Sequence, residues 1–356
     1  MKGEAIRNLS ATSYKKVNVE KSHIINKQYE ITNRYNIDEI KNYLKEKIVA
    51  QDNAIESLVP GLVWNQVVAL ASSRDISRTE KRVFLVEAPT SVGKTLLFEE
   101  LAEYLDIPIV IKAVTNYSAV GYKGDGLSSI LKELLNLSAG DYEKARKGII
   151  VLDEIDKLAN HEALEMRDAI EEELLSWING TTITINEDSK HSMTFNTKDN
   201  TFVVIGAFTE LREEEKQIGF NIDEKEEKPL TKERLIKYGL KPEFVSRLNI
   251  ILSLKKLTVE DFINLLTNKK LSPLKNFVLM ASMFNVNVYY TEEFVRLLSE
   301  EAYKLDLGAR GLIGLFQEIE TRYIEDIING NIKSIYLDET LFKNAKQEEN
   351  KKTLKL

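Results

Sequence analysis

The 356-residue chain contains no cysteine, which excludes disulfides, cysteine-type zinc sites and thiol catalysis. It has three histidines, His23, His161 and His191. None has a second His, Cys or acidic cluster at ligand spacing, so each reads as a solvated side chain rather than a metal ligand. No apolar run approaches the ~18 residues of a membrane span. The first residues are too polar for a signal-peptide core, and the chain reads as cytoplasmic, with no membrane partner. A surplus of positive charge is missing too: the formal charge is −7 and the isoelectric point near 5.4. That balance argues against bulk duplex DNA binding, while a local basic groove stays open. What is present is ordinary for a globular protein: 43% apolar and 29% charged residues, in a chain long enough for two domains.

Residues 1–35 are polar and locally basic without a clear period and read as an N-terminal arm. Asn36 and Glu39 form a capping box that opens a helix through Lys47. A second helix is predicted over 51–73, kinked or divided at Pro60-Gly61. From Lys81 the pattern alternates. Strands are predicted at 82–87, 107–113, 148–152 and 201–206, and helices near 93–105, 126–138, 141–147 and 160–179. Apolar, β-branched strands alternating with helices predict a parallel sheet covered on both faces. Residues 181–196 read as an inserted hairpin and 210–229 as an exposed charged loop. After a strand near 249–254, helices at about 258–284, 291–305 and 311–329, with short strands near 286–289 and 333–337, form a second domain. The expected division is arm 1–35, large α/β domain 36–254, small helical domain 255–340 and charged tail 341–356.

The sequence Arg82 to Leu97, RVFLVEAPTSVGKTLL, is a strand, a loop and the start of a helix. That is the context a phosphate-binding P-loop requires. Backbone N–H groups of the loop and the positive end of the helix make an anion cradle. Ala88, Pro89, Thr90, Ser91, Val92, Gly93, Lys94, Thr95 and Leu96 are the candidate nucleotide contacts. Lys94 would reach the β- and γ-phosphates and the Thr95 hydroxyl would ligate Mg²⁺. The P-loop's opening glycine is Ala88 here; if that position needs positive φ, its Cβ costs about 1–2 kcal/mol. An ordinary turn that happens to read GKT is the alternative.

A second motif weighs against it. Gly148 to Glu154, GIIVLDE, is an apolar strand delivering two carboxylates about 55 residues after the P-loop. Asp153 would sit at the C-terminal edge of the sheet, where open α/β sheets bind ligands, and hold the Mg²⁺ shell. Glu154 would polarise the attacking water. Asp156 and Lys157 follow on the side expected to be exposed.

With these residues the chain resembles the AAA+ ATPases of the Clp unfoldase branch, nearest the ClpX type, over about residues 36–340. The likeness rests on APTSVGKT (88–95), VGYKGDG (120–126), GDYEKARKGIIVLDEIDK (140–157), IKYGLKPEFVSRL (236–248) and LGARGL (307–312). The fold it implies is an α/β P-loop NTPase (AAA+), a parallel sheet sandwiched by helices and followed by a smaller, mostly helical C-terminal domain. The cofactors it implies are ATP and Mg²⁺, and the activity is ATP hydrolysis in a hexameric homo-oligomeric ring that unfolds protein substrates.

Residue by residue, the resemblance makes Tyr122 and Lys123 the pore loop gripping the polypeptide. An aromatic between glycines suits a sequence-tolerant grip. Arg247 takes the place of the arginine finger, which acts in trans, and Arg310 that of a second sensor reporting the γ-phosphate. Ile48 and Val49 match the apolar wall behind adenine. Thr209 is the polar group left for the first sensor after FVVIGAF. Lys190 and His191 lie where ClpX-type proteins carry a basic RKH pore-entrance loop, with Ser189 replacing the Arg. Ile218-Gly219-Phe220 matches the tripeptide that docks onto a ClpP-type peptidase, inside an insert shorter than in ClpX. On the residues alone, a buried Ile and Phe about a turn glycine is the favoured reading there. The segment before the 160–179 helix is short, which trims the second pore loop, and the family's cysteine-dependent N-terminal zinc domain has no counterpart. Two other functions remain open: a nucleic-acid remodeller or loader on the same core, and a regulatory ATP-dependent switch without translocation.

Overall fold

The computed structural model describes residues 35–71, 81–117, 126–159, 164–188, 191–211, 229–267, 270 and 272–341. Tyr122, Lys123, Lys190, Ile218, Gly219 and Phe220 lie outside them, as do residues 1–34 of the arm and 342–356 of the tail. His191 is described in its backbone only.

Two helices lead in, α1 (Ile37–Lys47) and α2 (Asp52–Ala71). They are followed by β1 (Phe84–Glu87), α3 (Lys94–Leu105) and β2 (Ile109–Ala113). Next come α4 (Ser128–Leu137), the short α5 (Tyr142–Ala145), β3 (Ile149–Asp153) and α6 (Leu164–Asn179). A hairpin of β4 (Thr182–Asp188) and β5 (His191–Asn196) precedes β6 (Thr201–Gly206). Then α7 (Lys232–Tyr238) and α8 (Pro242–Arg247) lead to β7 (Ile250–Ser253). Five strands form a wholly parallel sheet in the order β2-β3-β6-β1-β7. Every residue of β1 and β6 is buried, as a sheet covered on both faces demands.

Because successive side chains alternate, the sheet feeds two apolar layers. Val83, Leu85, Ile150, Leu152, Phe202 and Val204 pack with α4, α6 and α8 through Leu131, Leu134, Leu174, Trp177 and Phe244. On the opposite side Phe84 meets α2 so closely that a Cβ at Gly61 would lie 2.9 Å from its ring and from Ile250. This packing fits one undivided helix: of the two outcomes expected at Pro60-Gly61, division is not seen, because α2 runs through Pro60. A proline inside a helix costs ~3 kcal/mol. Ile55, Leu58, Val59, Leu62 and Val63 are all buried around it, and each contributes about 1.5–3 kcal/mol. Burial outweighs the lost hydrogen bond.

The remaining helices are α9 (Val259–Thr267), α10 (Pro273–Ser282), α11 (Glu292–Leu305) and α12 (Gly308–Ile328), with a parallel pair of β8 (Asn287–Tyr290) and β9 (Ser334–Leu337). They enclose a second core around Phe262, Phe277, Phe294, Leu298, Leu312 and Phe316. The predicted 258–284 helix is two helices, because Ser272 caps α10 by accepting the Lys275 N–H (3.1 Å) and Pro273 occupies its first turn. Helix α12 starts three residues earlier than predicted, so GARG is its first turn rather than its lead-in. Among the described residues no helix is long and apolar enough to cross a membrane.

Candidate functional site

The P-loop leaves the end of β1 and turns into α3 over residues 88–93. Its two left-handed positions are Ser91 (φ 57°) and Gly93 (φ 94°); Ala88 is not among the positive-φ residues. The cost expected for a Cβ at Ala88 therefore does not arise. That residue is fully buried and donates its N–H to the Gly206 carbonyl at the end of β6 (3.0 Å).

Helix α3 has no side-chain cap at Gly93. Among the described residues, the N–H groups from Ser91 to Leu96 donate to no acceptor. The Ser91 hydroxyl is buried without a hydrogen-bond partner. Six consecutive backbone donors at a helix N-terminus, with one orphaned buried hydroxyl, fit a polyanion such as a nucleotide phosphate chain.

Lys94 Nζ lies 3.4 Å from Asp153 Oδ1, with both side chains about four-fifths buried. Asp153 closes β3, and its Oδ1 also accepts the Glu154 N–H (2.8 Å). Thr95 is exposed on the first turn of α3. The Thr95 hydroxyl and Asp153 are the oxygen donors available for Mg²⁺, which keeps several waters and needs few protein ligands. Among the described residues there is no group of three or more His, Cys, Asp or Glu that could hold a metal ion.

Glu154 is exposed and sits in the left-handed region at φ 61°. Its Oε2 accepts the Thr115 hydroxyl at 2.5 Å. Thr115 was not singled out from the sequence. It follows β2, next to β3 in the sheet, so strand order brings a polar residue 39 positions away onto the carboxylate. A polar residue just past an apolar strand, at the carboxyl edge where ligands bind, was the available signal.

Gln51 was missed as a contact residue as well. It is buried, its Nε2 donates to the carbonyls of Lys255 (2.9 Å) and Val92 (3.4 Å), and its Oε1 accepts the Lys255 N–H (2.9 Å). One side chain thus ties the P-loop to the segment leading into the second core. Ile48 and Val49, just before it, are buried at the end of α1. Asp156 corrects an expectation: it is buried rather than exposed, while Lys157 beside it is exposed.

The second core touches the P-loop directly. Ala309 at the start of α12 donates its N–H to the Ser91 carbonyl (2.9 Å). Gly308 has φ +59°, and a Cβ there would lie 2.5 Å from the same oxygen. Only glycine fits both constraints. Gly308→Ala is accordingly expected to lower the apparent melting temperature by about 4–8 °C, equivalent to ~2 kcal/mol. An unchanged melting curve by scanning fluorimetry would show that this contact carries no stability.

Arg310, in the first turn of α12, and Arg247, at the end of α8, are both exposed, and neither side chain makes a hydrogen bond or ion pair among the described residues. Thr209 is exposed just beyond β6. The structure therefore joins Lys94, Asp153, Glu154 and the P-loop backbone in one site and, among the described residues, gives neither arginine side chain a partner.

A family model for the AAA domain (Cdc48 subfamily) matches residues 79–251. The chain is 31% identical over 298 residues to ClpX 2 of Wolinella succinogenes, an ATP-dependent Clp protease ATP-binding subunit; the match covers 79% of this chain and 75% of that protein. It is 29% identical to the ClpX subunit of Treponema denticola and 31% identical to that of Borrelia duttonii, over 79% of this chain and 74% and 72% of those proteins.

Proposed function

Because this chain belongs to the ClpX-type AAA+ ATPases, we propose that it works as a ring, hexameric as is typical of the family, that pulls polypeptide through a central pore. It is an ATPase of the unfoldase chaperone kind. The observation that carries the finer reading is the uncapped cradle from Ser91 to Leu96, with the start of α12 hydrogen-bonded to its Ser91 carbonyl. A phosphate chain bound there changes the charge directly under a helix belonging to the second core. Nucleotide state is thereby linked to the angle between the two cores, with Arg310 as the side chain that senses the γ-phosphate.

Lys94 and the P-loop N–H groups hold the phosphates, Ile48 and Val49 back the adenine, and Thr95 and Asp153 hold Mg²⁺. The metal neutralises charge on the phosphates when bound. Glu154 orients the attacking water, and Thr209 is the polar group at the end of β6. Arg247 reaches the neighbouring protomer's nucleotide, which is why a closed ring is required. Four exposed apolar side chains at the end of α10, Leu279, Met280, Met283 and Phe284, are consistent with further burial on assembly. Tyr122 and Lys123 grip the substrate, and Lys190 and His191 stand at the pore entrance. The relatives' names make a Clp-type peptidase the partner to test, through Ile218-Gly219-Phe220.

The test is Tyr122→Ala. Hydrolysis should persist within a few-fold while unfolding of a tagged fluorescent protein falls at least ~10-fold, because the aromatic supplies most of the contact area. Unfolding at the wild-type rate would sink the pore assignment. Turnover stimulated by DNA rather than by unfolded protein would favour the nucleic-acid remodeller, and stimulation by neither the regulatory switch.

A further inference from the structure

Arg247 is exposed, but the helix that carries it is gripped from below. Helix α8 is only six residues long, and the connector before it, Tyr238 to Lys241, is held on three sides. Glu171, buried on α6, accepts the Lys241 N–H through Oε1 at 2.7 Å. Gly239, at φ +123°, leaves room for the Ala159 carbonyl, which a Cβ would approach to 2.9 Å. The Tyr238 ring packs edge-on against Phe208, centroids 5.5 Å apart.

Two of these partners lie on segments that leave β3 and β6 at the candidate site. Ala159 closes the 3-10 turn Ile155–Ala159 that follows Asp153 and Glu154, and Phe208 follows β6. Lys241 adds ion pairs with Glu172 (2.8 Å) and Asp168 (3.6 Å), also on α6. A carboxylate buried this deeply carries a desolvation cost: burial pushes Glu171 up to about 7, although the Lys241 N–H pulls the other way. An apolar residue would avoid that cost but would leave the Lys241 N–H without the acceptor that Glu171 supplies.

We infer that Glu171 is a positioning residue for Arg247, latching the 238–241 connector so that the segments leaving β3 and β6 set the direction of the finger. The inference rests on the reading of Arg247 as a trans-acting finger. The lever is short but sufficient. Six helical residues span ~9 Å at 1.5 Å per residue, so a 10° tilt at Lys241 moves the far end by ~1.5 Å. Displacements of about 1 Å can cost ~10²-fold in rate.

The experiment compares steady-state ATPase of the full chain with Glu171→Met, Glu171→Gln, Arg247→Ala and the Glu171→Met/Arg247→Ala double variant, alongside titration with a fluorescent ATP analogue. Arg247→Ala should lower kcat by ~10³-fold. Glu171→Met should lower kcat by ~10- to 100-fold with KM and analogue affinity within about twofold. Glu171→Gln, which keeps an acceptor oxygen, should retain at least about half of wild-type kcat. The double variant should match Arg247→Ala alone, since a residue acting only through Arg247 has nothing left to lose.

A normal kcat for Glu171→Met beside an impaired Arg247→Ala overturns the positioning role and leaves the finger standing. So does a double variant slower than Arg247→Ala by the factor that Glu171→Met shows alone. A normal kcat for Arg247→Ala removes the finger, and the inference with it. If Glu171→Met melts below the assay temperature, Glu171→Asp, which withdraws the acceptor by one methylene, is judged by the same outcomes.

Discussion

Glu154→Gln is expected to bind ATP with wild-type affinity and to hydrolyse it at less than about a hundredth of the wild-type rate, the range seen when a residue that orients or activates the nucleophile is disabled. Gln keeps the size and one carbonyl oxygen of Glu, so the β3 end is undisturbed. It loses the charge that draws a proton from water. Two local features sharpen the expectation. The residue sits at φ 61°, a conformation costing about 1–2 kcal/mol without a glycine, and such strain persists where the surroundings dictate it. The Thr115 hydroxyl also holds the carboxylate at 2.5 Å. Water must therefore compete with the Thr115 hydroxyl for this carboxylate. Glutamine accepts from the same hydroxyl, so Glu154→Gln should be as stable as wild type. Equilibrium binding of a fluorescent ATP analogue and release of phosphate are the two measurements. Turnover above about a tenth of wild type would mean that the water is activated elsewhere.

The centre of the sheet was legible because β1, β3 and β6 are buried on both faces. VFLVE, GIIVLD and TFVVIG are near-continuous apolar runs, and β1, β3 and β6 fall within two residues of the predicted limits. The P-loop was legible for a related reason: phosphate binding needs small residues, a lysine and a hydroxyl in consecutive positions, which a linear motif records. What escaped depends on strand order and on approach between distant segments. Nothing local says that Thr115 faces Glu154; that follows from β2 lying beside β3. Nothing local says that Gly308 must touch Ser91, although LGARGL was recognised as a motif. Asp156 reads as a surface acid beside Lys157, because neighbouring residues in a 3-10 turn point in different directions and only one of the two is buried. The Pro60 helix inverts the pattern: a strong local signal is overridden by burial along its whole length. The contacts missed at the candidate site, Thr115 on Glu154 and Gly308 against Ser91, are made between elements rather than within them.

Lys94→Ala is expected to abolish measurable ATP binding, weakening it by at least ~10³-fold, while leaving the nucleotide-free protein folded. Lys94 is held 3.4 Å from Asp153, and the pair is neither exposed nor fully enclosed, with side-chain exposures of 18% and 24%. A partly solvated pair at this separation is worth ~1 kcal/mol or less, so its loss should shift the melting temperature by only about 2–4 °C. The binding loss is larger because it is made of different interactions. A triphosphate entering the cradle brings several negative charges beside Asp153, and Lys94 is the cation between them. Removing it leaves the carboxylate facing the phosphates at close range, where repulsion is screened far less than in water. The six free N–H groups from Ser91 to Leu96 remain in the variant, so inorganic phosphate or pyrophosphate should still bind weakly. If those donors outweigh the lysine, ATP affinity would fall by no more than about tenfold, roughly 1.4 kcal/mol. Calorimetric titration distinguishes the two outcomes. A companion Lys94→Ala/Asp153→Asn variant isolates the repulsion: partial recovery of magnesium-free nucleotide binding is expected, because the acid that opposed the phosphates is gone. No recovery would place the whole effect in the lost Lys94–phosphate contact.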